Sequence, residues 1–128
     1  MKKLKIEVSL GDLLDRLSIL FIKQENLTGD KLEYVKEELE KYLCVMYKLG
    51  DEFNDKTKQY LLKLKEINKE LWKLEDEVRA YIKDKDFGDE YILITQKIHA
   101  TNNKRVKLKN EIDKMFGSKI KEVKSYKL

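Results

Sequence analysis

Apolar residues recur along most of the chain at intervals of three and four, the period of one helical face. Four stretches carry that period, with turn-forming residues between them. The first covers residues 9–25, with Leu10, Leu13, Leu14, Leu17, Leu20 and Phe21 on its apolar face. Ser9 is placed to cap it, and Asp12 follows three residues on, a capping box with Asp in place of Glu. Thr28-Gly29-Asp30 ends this helix and begins the next. The second stretch covers about 31–49, where Leu32, Val35, Leu39, Tyr42, Leu43 and Met46 alternate as in a bundle helix. Gly50 suits its C-terminal stop, and 51–55 is polar and predicts a loop or frayed turn. The third covers about 56–83, with Leu64, Ile67, Leu71, Leu74 and Val78 on one stripe. Asp84-Lys85-Asp86-Phe87-Gly88 breaks it, and a fourth follows over about 89–116, ended by Gly117. Its apolar positions include Ile94, Ile98, Leu108, Ile112, Met115 and Phe116.

Two further segments have a different period. Leu4, Ile6 and Val8 alternate with Lys5 and Glu7, which predicts a short strand. Residues 119–126 contain Ile120 and Val123 and read as extended, able to pair with that strand. The expected architecture is all-α: an antiparallel four-helix bundle with short extended N- and C-terminal segments. Residues 1–128 form a single helical domain, and the long third and fourth helices make its main hairpin.

Composition narrows the class. Charged and hydrophobic residues each make up 41 % of 128 residues and proline is absent, which fits long solvated helices rather than disorder. The net charge of +4 is spread along the chain, so nucleic acid is not an expected partner. Cys44 is the single cysteine, which excludes an intrachain disulfide framework and points to a reducing compartment. Cys44 flanks the apolar stripe of its helix and is expected to pack there. No apolar run reaches signal-peptide length or the roughly 20 residues of a membrane span. A cytoplasmic protein without a membrane partner is expected.

The candidate chemistry lies in polar rows beside the apolar faces. Asn68, Trp72, Glu75 and Arg79 follow i, i+4, i+7 and i+11, which sets them on one stripe of the third helix. Asp76 borders that row. The fourth helix carries His99, Asn102, Lys109 and Asp113 at i, i+3, i+10 and i+14, with Asn103 and Arg105 beside them. On the first helix, Asp12, Arg16, Ile19 and Lys23 fall opposite the apolar face, with Asp15 and Ser18 toward its edges. Such rows lie near helix–helix seams, where charges need partners or a ligand. The plain alternative is a solvated face with i, i+4 ion pairs. Residue type separates the two. The second helix shows water mostly Lys and Glu, whereas the rows use Asn, Asp, Arg, His, Ser and Trp. Asn and Asp deep in a helix cost propensity for no helical reason.

Other chemistries find less. His99 is the only histidine, so a histidine-based zinc site is excluded. There is no Gly-rich phosphate loop, no CxxC and no Ser/His/Asp order. Glu37-x-x-Glu40 and Glu52-x-x-Asp55 imitate the paired acidic motifs of helical pyrophosphohydrolases, but Gly50 separates them and both stretches look like plain surface. Asp12, Asp15, Glu75 and Asp113 could gather as a Mg²⁺ site if the helices bring them together.

Several motifs share one order with a known family. They are Gly11-Asp-Leu-Leu-Asp-Arg-Leu-Ser-Ile-Leu, Ile67-Asn-Lys-Glu-Leu-Trp-Lys-Leu-Glu-Asp-Glu-Val-Arg, Phe87-Gly, Thr101-Asn-Asn-Lys-Arg, Leu108-Lys and Gly117-Ser…Glu122-Val-Lys-Ser-Tyr. Together they resemble an uncharacterised bacterial and phage family, number 6165 in the domain-of-unknown-function series, over nearly the whole chain. That family's pattern has Asn-Asp where this chain has Asn102-Asn103, and Glu-Glu-Lys where it has Glu122-Val-Lys. The resemblance implies a place near glycosyltransferase and surface-polysaccharide genes. It implies no activity.

The expected function is non-catalytic binding of a small phosphate-bearing ligand, a nucleotide or nucleotide sugar, and in a phage setting the sequestration of a nucleotide signal. Arg16, Lys23, Arg79, Arg105 and Lys109 would meet the phosphates. Trp72 would stack on a ring, and Asn68, Asn102 and Asp15 would give directional hydrogen bonds. Glu75 and His99 complete the set. No cofactor is expected, and a homo-oligomer is compatible with long amphipathic helices. One rival is a Mg²⁺-dependent nucleotide-processing enzyme built on the four carboxylates. Another is a helical scaffold linked to surface-polysaccharide synthesis.

Overall fold

The computed structural model describes residues 2–117. Four helices make up its regular structure: α1 (Leu10–Asn26), α2 (Gly29–Lys48), α3 (Asp55–Lys83) and α4 (Asp89–Met115). A short 3₁₀ turn, Gly50–Glu52, joins α2 to α3. The all-α antiparallel bundle expected from periodicity is therefore present, with helix ends close to those expected. The capping chemistry explains why. The Ser9 hydroxyl accepts the Asp12 N–H at 3.1 Å and starts α1. The Asn54 side chain accepts the N–H groups of Lys56 and Thr57 and starts α3. Gly50, at φ +56°, turns the chain out of α2 in the left-handed conformation that glycine adopts without a Cβ penalty.

Helix α3 has 29 residues, about 44 Å at 1.5 Å per residue. It pairs with α4 as the main hairpin, and α1 packs against α2, α3 and α4 alike. Leu14, Leu17 and Leu20 of α1 are almost wholly buried with Val35, Leu39 and Met46 of α2, Tyr60 and Leu64 of α3, and Leu108 and Ile112 of α4. A second, smaller cluster of Leu74, Val78 and Ile94 lies further along the hairpin, flanked by Tyr81, Tyr91 and Ile98.

Two expectations are corrected. Residues 4–8 form no strand: Leu4 and Ile6 are 93 % and 88 % exposed, and no strand occurs among the described residues. A strand needs a neighbour to take its backbone hydrogen bonds, a condition that alternation alone does not meet. The extended segment expected at 119–126 lies outside the described residues. Cys44 is exposed rather than packed. It falls between Leu43 and Val45, themselves 44 % exposed, because only the Val35–Leu39–Met46 line of α2 is buried against its neighbours.

Candidate functional site

Helix α1 owes its close approach to α4 to a glycine. The Gly11 N–H donates to Asp113 Oδ1 at 2.7 Å, across 102 residues of sequence. A Cβ there would stand 2.5 Å from the Lys109 carbonyl oxygen and 2.8 Å from Asp113 Oδ1. No larger residue fits unless the helices part. The next turn of α1 then brings Asp15 and Ser18 into the seam with α3 and α4.

Asp15 is 4 % exposed and sits at the centre of a hydrogen-bonded network. Arg105 of α4 donates Nε to Asp15 Oδ1 at 2.8 Å and a terminal nitrogen to Oδ2, a two-pronged grip. Asn68 Nδ2 of α3 donates to Asp15 Oδ1 at 2.9 Å and to Ser18 Oγ at 2.8 Å. The Ser18 hydroxyl donates in turn to the Asp15 backbone carbonyl at 2.7 Å. Lys109 Nζ lies 2.8 Å from Asp12 Oδ1 and 3.9 Å from Asp15 Oδ2. Charge buried at this depth is stable only when paired, and here carboxylate and cation match.

This network supports one side of a cleft. Ile19 and Ile22 of α1, Asn68, Leu71, Trp72, Glu75 and Arg79 of α3, and Asn102 and Arg105 of α4 line a volume of about 360 Å³. That lies in the lower part of the range for small-molecule sites. All four members of the polar row read on α3 face it. The row works because i, i+4, i+7 and i+11 stay within one narrow arc of a straight helix. Trp72 is half-buried and lines the cleft, so part of its side chain is open to a ligand.

The remaining candidates do not line the cleft. Asp15 and Lys109 lie in the network behind the cleft and do not line it. Arg16 turns the other way and donates to Glu38 of α2 at 2.9 Å. That bond, chiefly, holds its guanidinium pKa above the ordinary value. The reason is helical phase: one residue beyond Asp15 is a rotation of about 100°. Lys23 is half-buried outside the lining, one residue beyond the cleft-facing Ile22. His99 is exposed and does not line the cleft, since three residues before Asn102 places it about 60° round α4.

The carboxylates proposed for Mg²⁺ are not gathered. Asp15 is engaged by Arg105 and Asn68, Asp113 by the Gly11 N–H, and Asp12 by Lys109, while Glu75 stands apart in the cleft. Among the described residues no group of three or more metal-ligating side chains is arranged to hold an ion. Ile19, Ile22 and Leu71 line the cleft but were not among the sequence candidates for the site. Their apolar character gave no sign of it, though all three follow the helical period of residues that did.

Among the described residues no helix is long and apolar enough to cross a membrane. Searches of curated proteins and of solved structures returned no match. A family model matches residues 4–128, and the chain belongs to that family, a family of unknown function (DUF6165).

Proposed function

We propose that the protein is a non-catalytic binding protein for a small phosphate-bearing ligand, a nucleotide or nucleotide sugar, held in the cleft between α1, α3 and α4. One observation carries this: an indole ring, two guanidinium groups and two amides from two helices converge on a single hollow with an apolar floor. Trp72 offers a face for a base or sugar ring, worth about 1 kcal/mol beyond buried area in a stacked pair. Arg79 and Arg105 supply planar donors suited to phosphate oxygens. Asn68 and Asn102 supply direction. A binding role asks only for this shape and charge, and it suits sequestration of a nucleotide signal in a reducing, cytoplasmic setting.

The test is a thermal-shift screen of nucleotides and nucleotide sugars, with and without Mg²⁺, followed by mass analysis of the recovered ligand. Stabilisation with an unaltered ligand is expected. Recovery of a cleaved product would overturn the non-catalytic claim. Mass analysis of small molecules released on denaturing the purified protein checks the same point without a chosen library.

A second reading, a scaffold or homo-oligomer, draws on the far part of the α3–α4 hairpin. Ile82, Phe87, Ile92 and Leu93 are each about half exposed there beside the Leu74–Val78–Ile94 cluster. Contiguous exposed apolar surface marks association sites. Sedimentation of the native chain, and of a Phe87→Ser/Ile92→Ser variant, decides whether this surface carries self-association.

A further inference from the structure

The charge balance around the cleft is tighter than its two arginines suggest. Arg105 is gripped by Asp15, and Arg79 gives a terminal nitrogen to Asp76. Lys109, behind the cleft, is matched by Asp12. Each of these cations already has a carboxylate beside it. Glu75 lines the cleft as well, and it enters none of the ion pairs among the described residues. The lining thus carries one acid for two bases, and both bases are offset from outside it.

The two arginine pairs differ in how readily they open. The Asp15 side chain is 6 % exposed and that of Arg105 28 %. Separating them would strand a charge in the interior, so Arg105 is fixed. The side chains of Arg79 and Asp76 are 64 % and 59 % exposed, one turn apart on α3. An exposed pair of that kind holds weakly and exchanges with solvent or ligand. Arg79 is therefore the lining cation that can swing to a phosphate at little cost.

Building on the ligand class proposed above, we infer that the cleft takes a ligand with a single phosphate group. Arg79 binds that phosphate, and a hydroxyl- or amino-bearing ring donates to Glu75. Glu75 acts as the selectivity residue against di- and triphosphates. Each added phosphoryl group brings further negative charge into a hollow of about 360 Å³ whose acid is uncompensated. The repulsion acts at short range, within the roughly 8–10 Å Debye length of ordinary buffers, so salt weakens it without abolishing it. The same carboxylate accepts hydrogen bonds only, so it favours a donor such as a ribose or sugar hydroxyl or an exocyclic amine.

The experiment is calorimetric titration of the full chain with the mono-, di- and triphosphates of all four ribonucleosides, with inorganic phosphate as a control. Native protein and Glu75→Gln, a near-isosteric change at an exposed site, are compared after matching their melting curves. The expected result is a monophosphate bound at least tenfold more tightly than its triphosphate, with that ratio cut at least threefold in Glu75→Gln. A triphosphate bound as tightly as its monophosphate by native protein would overturn the inference. So would a ratio that Glu75→Gln leaves unchanged. Both results leave the nucleotide-binding reading standing. Silence with all twelve nucleotides would overturn the inference and the nucleotide reading together.

Discussion

Helix α1 contributes to two buried regions of opposite character. In one, Leu14, Leu17 and Leu20 meet Val35, Leu39, Met46, Leu64 and Ile112 in an apolar cluster whose one polar side-chain group is the Tyr60 hydroxyl. In the other, less than a turn away round the same helix, Asp15 and Ser18 meet Asn68, Arg105 and Lys109. The first region stabilises the bundle. Removing apolar area from water is worth about 25 cal/mol per Å², with no demand for direction. The second gains little net stability, because desolvation offsets most of its attraction. What it provides is position. It holds Arg105 and Asn68 in one geometry at the edge of the cleft, and that rigidity is what a preorganised binding wall needs. Buried ion pairs beside a hollow are thus better explained by the hollow than by the fold.

The comparison breaks most sharply at Asp15. Asp15→Ala leaves Arg105 and Lys109 without their central carboxylate, and a loss of about 3–5 kcal/mol is expected, as large as that from Leu17→Ala at about 2–5 kcal/mol. The two variants should look alike in urea unfolding. The combined variant Asp15→Leu/Asn68→Leu/Arg105→Met separates them. With charge and partner removed together, its unfolding free energy in urea should stay within about 2 kcal/mol of native or rise. A loss as large as that of Asp15→Ala would show that the network stabilises the fold after all.

Gly11→Ala probes the joint on which the polar region depends. Its Cβ would meet backbone as well as the Asp113 carboxylate, so α1 must shift. Destabilisation of about 1–3 kcal/mol is expected from overpacking, read as a lower melting temperature. At the opposite extreme lies Glu25, exposed on α1. The Lys65 ammonium hydrogen-bonded to it, with Lys69 beside, holds its carboxyl below the ordinary value over the opposing effect of desolvation. A depressed carboxyl pKa adds stability above the unfolded value, and that stability is lost as pH falls through the folded value. The urea midpoint of native protein should therefore fall slightly more than that of Glu25→Gln between pH 6 and pH 3.

Much of this was legible along the chain, and what was not has a physical reason. The four helices were readable because caps and period are local. Ser9 and Gly50 act within a few residues of themselves. The Asn68–Trp72–Glu75–Arg79 row was readable because a straight helix preserves spacing as direction. Helix α1 was harder. It packs against three neighbours, so Asp15, Ser18 and Ile22 are buried outside the single apolar stripe that a one-sided helix would show. The partner of Asp15 lies 90 residues away, and nothing local marks Arg105 as that partner rather than Arg16. His99 and Lys23 carry suitable chemistry, but one or three residues of phase turn them from the cleft. The N-terminal alternation failed for the same reason: pairing is a property of two segments, and the pattern describes one.

The most direct measurement concerns Arg79, which the fold does not need and the cleft does. Calorimetric titration of native protein and Arg79→Ala with the ribonucleoside monophosphates, at equal urea midpoints, isolates binding from stability. Saturable binding by native protein, weakened at least tenfold in Arg79→Ala, is expected. Binding that survives the substitution unchanged would contradict a phosphate site in this cleft.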